Sequence, residues 1–193
     1  MYRDRILALT AAFSLLAASP ALGQRGGAAF VGISAGATLG DLNGGSVDTE
    51  TRWGGTAGLQ FGYRTSNATL ISLEANWIQK GGGNVRLDYI EVPLFVGAGF
   101  MTNNGLGIRV YGGVDAAFKI GCTSDSPLLA CDRVRTPEWS LPFGVSFLRF
   151  LDSGKFIGLD IRYTWPISDA FETSIAKNRT WVFKAMFGLP IRK

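Results

Sequence analysis

The sequence has no histidine, only two cysteines and, at a formal net charge of +4, little excess charge. Without histidine it lacks the side chain that most often activates a nucleophile, and no spacing supports a Ser–Lys or carboxylate alternative. Two cysteines without histidine cannot supply the four ligands of a structural zinc site. No basic run is interleaved with aromatic residues, as nucleic-acid binding would favour. We therefore predict no enzyme activity, no catalytic or metal site, no cofactor and no nucleic-acid partner.

Long apolar runs are also missing, and this decides how the N-terminus is interpreted. Two arginines precede an apolar run over 6–18 that is too short to span a bilayer as a helix. Ala21-Leu22-Gly23 then supplies the small residues of a cleavage site. A short anchor helix is the alternative, and the length of the run disfavours it. We predict a signal peptide over 1–23 and a single β-barrel domain over 24–193, exported to the outer membrane.

Apolar residues are nevertheless abundant, at 47% of the chain, while charged residues make up only 18%. Because these apolar residues form no long run, they must be distributed by alternation, which is the pattern of strands with one apolar face. Alternation of period two predicts eight strands: 29–39, 53–64, 71–77, 89–98, 108–120, 138–147, 157–167 and 180–189.

The alternation alone does not decide whether the apolar face points inward or outward. A soluble periplasmic barrel that binds a ligand would turn it inward. However, the polar face is rich in Gly, Ser and Thr, which suit the crowded interior of a narrow barrel. The segments also reach the ~9–11 residues that a transmembrane strand needs. We predict an all-β fold, an eight-stranded antiparallel up-and-down transmembrane β-barrel with a lipid-facing apolar exterior and a polar, filled lumen.

The connections between these strands alternate in length, as expected for outer-membrane barrels with short turns at one end and long loops at the other. The short connections are 65–68, 102–105 and 151–155, and the longer ones are 40–52, 80–84, 121–136 and 168–177.

All five tryptophans lie on the apolar face, at the strand ends that adjoin the longer connections. Tryptophan favours membrane interfaces because its ring has a large apolar area and an N–H group that hydrogen-bonds to water. We predict that one rim of the barrel carries an aromatic girdle of Trp53, Trp77, Trp139, Trp165 and Trp181.

Charged residues of both signs occupy the inward face. The predicted lumen cluster is Glu74, Glu91, Arg109, Asp115, Asp160, Arg162 and Lys184, with Arg64 and Lys119 on the same face. Unpaired charges in a lumen of low dielectric constant would be costly, so we expect ion pairs, and Glu91 with Arg109 is the favoured one. An ionic plug is preferred to a conduction path, because eight strands leave little room for water.

The two cysteines, Cys122 and Cys131, lie in one of the longer loops. Export places them in an oxidising compartment, so we predict a disulfide that pins this loop, with two free thiols as the alternative. The pinned loop is the best candidate for a contact surface.

A short pair of motifs resembles a known family. Gln79-Lys80-Gly81 ends one strand, and Tyr89-Ile90-Glu91-Val92-Pro93-Leu94 forms the next. Together with Gly32-Ile33-Ser34-Ala35-Gly36, these motifs resemble the outer-membrane β-barrel domain of PorT-like and "porin family" proteins, over residues 28–191. The resemblance implies a small outer-membrane barrel but no specific activity. Barrels of this kind commonly end on an aromatic residue that the barrel-assembly machinery recognises. The sequence departs from that pattern, since it ends Gly188-Leu189-Pro190-Ile191-Arg192-Lys193, so either Phe187 serves instead or the assembly signal is weak.

Proline in this motif has a structural consequence that does not depend on the family. Pro93 cannot donate a ladder hydrogen bond, so it predicts a bulge or a locally broken pairing.

The sequence therefore predicts an integral outer-membrane protein with a structural or binding role, a plugged lumen and exposed outer loops. Its expected partners are outer-membrane lipid, the assembly machinery and an extracellular or periplasmic protein. The alternatives are a narrow porin-like diffusion channel for small solutes and the soluble ligand-binding barrel.

Overall fold

The structure, a computed structural model, describes residues 28–45, 47–65, 69–125, 129–151, 153–172 and 175–191. The predicted signal peptide, 1–23, lies outside these residues. In this part of the chain, no helix is both long enough and apolar enough to cross a membrane. The strands are β1 (Ala28–Gly44), β2 (Val47–Asp48), β3 (Arg52–Arg64), β4 (Thr69–Gly82), β5 (Val85–Met101), β6 (Leu106–Thr123), β7 (Glu138–Phe150), β8 (Phe156–Pro166) and β9 (Lys177–Ile191).

Eight of these strands form a closed antiparallel barrel. Each pairs with the next one along the chain, and β9 returns to pair with β1 from Ala29↔Ile191 to Asn43↔Lys177. The remaining strand, β2, folds back on the end of β1 as a short hairpin within the region predicted to be a loop. The predicted eight-stranded up-and-down barrel is therefore confirmed, with β2 as an addition.

The apolar face of every barrel strand points outward. Leu59 is 64% exposed, and Val110 and Ile161 are also exposed, whereas Glu91 is 3% exposed and Arg162 is equally buried. A soluble barrel would have the opposite arrangement, because its core needs the apolar side chains. The predicted orientation is confirmed, and the soluble ligand-binding alternative, which needs an inward apolar face, is wrong.

The β4–β5 connection is shorter than predicted. Residues 80–84 were expected to form one of the longer connections, but β4 continues to Gly82 and a two-residue turn at Gly83 and Asn84 leads into β5. Gly81 and Gly83 have φ angles of +114° and +54°, which glycine adopts without steric cost. The run of three glycines therefore serves a tight hairpin rather than a loop.

Pro93 interrupts the ladder between β4 and β5, as predicted. Pairing runs to Leu73↔Leu94 and resumes at Asn76↔Glu91 in the same register, so the two pairs between them are not made. The missing proline N–H accounts for this local break.

The barrel lumen and its lid as a candidate functional site

The seven residues of the predicted lumen cluster all point inward, and each is buried. Arg64 and Lys119 are only partly buried. Small residues on the inner faces make room for the long charged side chains. At Gly58, for example, a Cβ atom would meet the side-chain oxygen of Asn76 on the neighbouring strand.

Glu74 is the centre of the larger charged cluster, here called the central cluster. Arg162 Nη2 donates to Glu74 Oε1 at 3.0 Å, and Lys184 Nζ donates to Oε2 at 2.8 Å. Asn76 Nδ2 also donates to Oε2, at 3.0 Å. One carboxylate thus joins β4 to β8 and β9 across the lumen, which is the paired and hydrogen-bonded environment that a buried charge requires.

Asp160 extends the central cluster towards β6 and β7. It accepts hydrogen bonds from the Tyr111 hydroxyl at 2.8 Å and from Ser146 Oγ at 2.7 Å. Arg162 Nε donates to the same tyrosine oxygen at 3.0 Å, and Arg109 Nη2 donates to Ser146 Oγ at 2.9 Å. The central cluster is therefore one continuous network contributed by five strands.

A second group of charges, here called the upper carboxyl cluster, consists of Lys80, Glu91, Asp115 and Glu138. Lys80 forms an ion pair with Glu91. Ser140 Oγ donates to Asp115 Oδ2 at 3.0 Å, and the Tyr89 hydroxyl donates to Glu138 Oε2 at 2.8 Å. The Lys80 ammonium also lies 5.7 Å from the centre of the Tyr89 ring. The two motifs of the family resemblance thus meet here, because Lys80 belongs to one and Tyr89 and Glu91 to the other.

The predicted Glu91–Arg109 ion pair is wrong. Glu91 pairs with Lys80, while Arg109 donates to Ser146. The register between β5 and β6 sets Glu91 opposite Ala117 and Arg109 opposite Gly99. Positions 91 and 99 on β5 are eight residues apart, or roughly 26 Å at the rise of a strand.

Lys80 and Glu138 belong to the lumen, although the sequence analysis did not place them there. Lys80 lies in the predicted connection 80–84, and Glu138 lies at the first position of its strand. Both continue the inward face of their strands, since Lys80 follows Asn76 and Ile78 at intervals of two. Extending the alternation of the strand 71–77 would have found Lys80, and Glu138 already stands on the polar face of the predicted strand 138–147.

Two connections fold over the end of the barrel where β6 joins β7 and β8 joins β9, here called the lid end. The described residues 129–135 and 167–172, together with 175–176, form the lid. Val134 and Phe171 form an isolated bridge between the two connections. Arg135 N donates to the Ala170 carbonyl at 2.9 Å, and Glu172 N donates to the Arg133 carbonyl at 2.9 Å. The lid is therefore a backbone-bonded unit of two separate loops.

A disulfide ties the lid to the barrel wall. Cys122, at the end of β6, is bonded to Cys131, and their Cα atoms are 5.6 Å apart. Lys119 Nζ adds a hydrogen bond to the Cys131 carbonyl at 2.8 Å. The structure thus contains the bridge expected between these two cysteines.

The underside of the lid packs on inward-facing apolar side chains of the barrel. The lid contributes Leu129, Val134, Ala170, Phe171 and Ala176, and the strands contribute Leu42, Ile78, Val85, Leu87, Tyr89, Ala117 and Val182. Every one of these residues is buried. An apolar layer therefore lies above the upper carboxyl cluster, and Tyr89 of this layer donates its hydroxyl to Glu138 of the cluster.

A second apolar layer fills the opposite end, where short turns join the strands, here called the turn end. The Phe156 ring lies 5.2 Å from the Phe30 ring and 5.7 Å from the Phe150 ring, measured between centroids. Phe156 and Met186 are both buried. The two charged clusters thus lie between two apolar layers.

The five tryptophans of the predicted girdle all lie on the outer wall towards the lid end. Their exposed fractions run from 37% for Trp77 to 64% for Trp53. Trp53 and Trp181 lie close to the same height on the barrel wall, because both pair with Leu39 of β1.

Among the described residues, no group of three or more His, Cys, Asp and Glu side chains is arranged to hold a metal ion. In the upper carboxyl cluster the Lys80 ammonium occupies the place beside the carboxylates that a cation would take.

Comparison with known proteins shows similarity of structure without similarity of sequence. No family model and no curated protein sequence matches the chain, so the PorT-like resemblance stays a prediction. The structure is similar to the outer-membrane protein OprG from Pseudomonas aeruginosa, at a TM-score of 0.56 and 15% identity over 88% of this chain and 98% of that one.

Two further solved structures have the same architecture. The outer-membrane protein AlkL, determined in DMPC lipid bilayers, has a TM-score of 0.53 and 13% identity over 91% of this chain and 95% of that one. Neisserial surface protein A has a TM-score of 0.52 and 14% identity over 83% and 96%. The chain thus has the fold of small outer-membrane β-barrel proteins.

Proposed function

We propose that this protein is an integral outer-membrane β-barrel with a structural or binding role and a filled lumen. One observation carries the proposal: the apolar face of the barrel is exposed, while its charges are enclosed. A continuous apolar wall of this kind would be unstable in water, because soluble monomers rarely expose large apolar patches. In a bilayer the same wall meets hydrocarbon, and the closed barrel leaves no backbone edge without a hydrogen bond.

The tryptophan girdle supports the same location. Its five rings share one end of the outer wall, where an indole can place its apolar area in hydrocarbon and its N–H among headgroups. The similarity to outer-membrane proteins in fold agrees with this location without specifying a role.

The contents of the lumen favour a plug over a diffusion channel. Side chains of the central cluster cross the barrel from β4 to β8 and β9, and an apolar layer closes each end. A selective pore instead needs a polar path that ions can enter and leave. A filled lumen leaves the outer surface for the proposed binding role, and the lid is the candidate contact with a protein partner.

Membrane integration is tested by fractionation combined with heat-modifiable gel migration. We expect the protein in the outer-membrane fraction, resistant to alkaline extraction, and migrating faster unboiled than boiled. Leu59→Arg should lower the yield of the faster form, because arginine on the lipid face costs about 2–4 kcal/mol near the midplane of the bilayer. Leu151→Arg, in the β7–β8 turn, is the matched control and should migrate as wild type. Release by osmotic shock without detergent would reject the proposal.

The filled lumen is tested separately by planar-bilayer recording with the purified protein. We expect no resolvable unitary current, because both apolar layers must be crossed. A reproducible unitary conductance would instead establish the narrow diffusion channel, and it would leave the membrane location intact.

A further inference from the structure

The turn end of the barrel carries an excess of positive charge. In the strand ends and turns described there, beyond the central cluster, the charged residues are Arg64, Arg149 and Lys155. The β7–β8 connection also contains Asp152, which lies outside the described residues. Within residues 28–191, the formal charge of this end is therefore 3 − 1 = +2.

Cations on the outer wall at the lid end, by contrast, have carboxylate partners. Arg179 Nε donates to Asp41 Oδ1 at 2.8 Å, and Arg86 Nε lies 3.1 Å from Asp88 Oδ2. These ion pairs already compensate the two guanidinium groups, so an anionic partner would gain less there.

Two of the turn-end cations share one patch of the outer wall, here called the basic patch. Arg149 and Lys155 are both exposed, and neither forms an ion pair with a described residue. Arg149 is opposite Ile157 in the β7–β8 hairpin, and Leu151 N donates to the Lys155 carbonyl at 2.8 Å. The two cations are therefore diagonal neighbours, roughly 7–8 Å apart, and their long side chains can reach one phosphate group.

Arg149 is held in place without being neutralised. Its Nη1 donates to the carbonyl oxygen of Asn104 at 2.7 Å, and this acceptor carries no charge. A guanidinium group has five N–H donors, so the others are available to phosphate oxygens, which arginine binds in a bidentate manner.

The neighbours of the basic patch are apolar and face outward. Arg149 is opposite Leu106 of β6 on one side and Ile157 of β8 on the other, and these are 47% and 48% exposed. A partner at this position meets the side of the barrel rather than its open end. It must therefore combine an anionic group with apolar chains.

From these observations we propose that the basic patch binds the headgroup phosphate of an anionic phospholipid, whose acyl chains lie along the adjoining apolar wall. Long basic side chains at the margin of an apolar wall place their charge at the level of the headgroups, where anionic lipid attracts it. The turn end then lies in a leaflet that contains anionic phospholipid. This inference rests on the proposed membrane location.

The test uses the full-length protein, folded in a non-ionic detergent that contains equal amounts of dioleoylphosphatidylglycerol and dioleoylphosphatidylcholine. Both lipids have a phosphate and the same chains, but only the first has a net charge. Native mass spectrometry counts the lipid molecules retained by the protein. We expect wild type to retain phosphatidylglycerol with a preference of about tenfold, and Arg149→Gln combined with Lys155→Gln to bring the ratio close to one.

The matched control is Arg86→Gln combined with Arg179→Gln, which removes the same formal charge at the lid end and should keep the preference. Exchanging the two cations, as Arg149→Lys with Lys155→Arg, should also keep most of it. Heat-modifiable migration shows that each variant is folded, and Lys155→Gln alone, which should lower the ratio partly, replaces the double variant if that one does not fold.

Three results would overturn the proposal. A folded wild type that retains both lipids equally would remove the site and leave the membrane location intact. Equal losses in the turn-end and lid-end double variants would show that only net charge matters. Displacement of phosphatidylglycerol by millimolar inorganic phosphate at constant ionic strength would indicate a site for free phosphate rather than for lipid.

Discussion

At the scale of single residues, the decisive feature is how each enclosed charge is compensated. Glu74 is bound by Arg162 and Lys184, so Glu74→Ala leaves the buried Lys184 without a carboxylate and Arg162 with Asp160 as its remaining one. We expect this substitution to lower the free energy of unfolding by about 3–5 kcal/mol, the usual cost of breaking a buried pair. Urea unfolding of the protein in lipid vesicles, followed by tryptophan fluorescence, measures the change.

The partly exposed ion pair between Arg86 and Asp88 provides the control for Glu74→Ala. The Arg86 side chain is 42% exposed, so Arg86→Ala should change the free energy of unfolding by less than about 1 kcal/mol. Equal effects of the two substitutions would mean that water reaches the central cluster, contrary to the filled lumen.

The sequence predicts which charges are enclosed better than it predicts how they pair. Alternation alone places Glu74, Asp160 and Arg162 on the inner face, because each lies an odd number of positions from an outward apolar neighbour. Pairing also depends on the register between strands, and one sequence does not contain that information. For this reason the sequence favours a pair of Glu91 with Arg109, whereas Glu91 binds Lys80 in the structure.

At the scale of the strand, small inner residues determine whether neighbouring side chains fit. A Cβ atom at Gly58 of β3 would meet Asn76 and come within 2.6 Å of the Ala75 carbonyl oxygen. Asn76 in turn donates to Glu74. We expect Gly58→Val to displace Asn76, weaken the central cluster and reduce the fraction of faster-migrating protein on unboiled gels.

The matched control for Gly58→Val is Ala57→Val, one position along the same strand. Ala57 points outward and is exposed, so the added methyl groups meet lipid rather than the lumen. Ala57→Val should fold as wild type does. If both substitutions reduced folding alike, β-strand propensity rather than the crowded interior would be the cause.

Strand number and direction follow from the sequence, while strand ends do not. The glycines at 81–83 hide the alternation, so the sequence predicts a strand that ends at residue 77 and a loop over 80–84, whereas β4 continues to Gly82 and ends in a hairpin. β2 is not predicted for a different reason, because its two residues are too few to show a period. Hydrogen bonds to neighbouring strands, rather than local pattern, set these ends.

At the scale of the whole molecule, closure of the barrel and formation of the lid both depend on contacts between distant parts of the chain. The alternation predicts that β1 and β9 are apolar on one face, and closure then follows because free edges are costly in a membrane. Nothing local predicts that the loop containing Val134 meets the loop containing Phe171. The lid therefore becomes visible only in the structure.

The tryptophan girdle leads to a prediction about the depth of the molecule in the bilayer. Its five rings lie on one end of the outer wall, so all should be near the same interface. In vesicles of brominated lipid, we expect fluorescence to be quenched most by bromines attached close to the headgroup. Bromines near the ends of the acyl chains should quench less.

Leu59→Trp is the control that calibrates this depth, because Leu59 lies in the middle of an outward strand face and is highly exposed. The added tryptophan should contribute emission that is quenched by the deeper bromines, since the level of Leu59 corresponds to hydrocarbon. If wild type already showed that deep profile, the girdle would lie within the hydrocarbon and the bilayer would have to be centred on the lid end. If neither protein were quenched, the apolar wall would not face lipid, and the membrane location itself would fail.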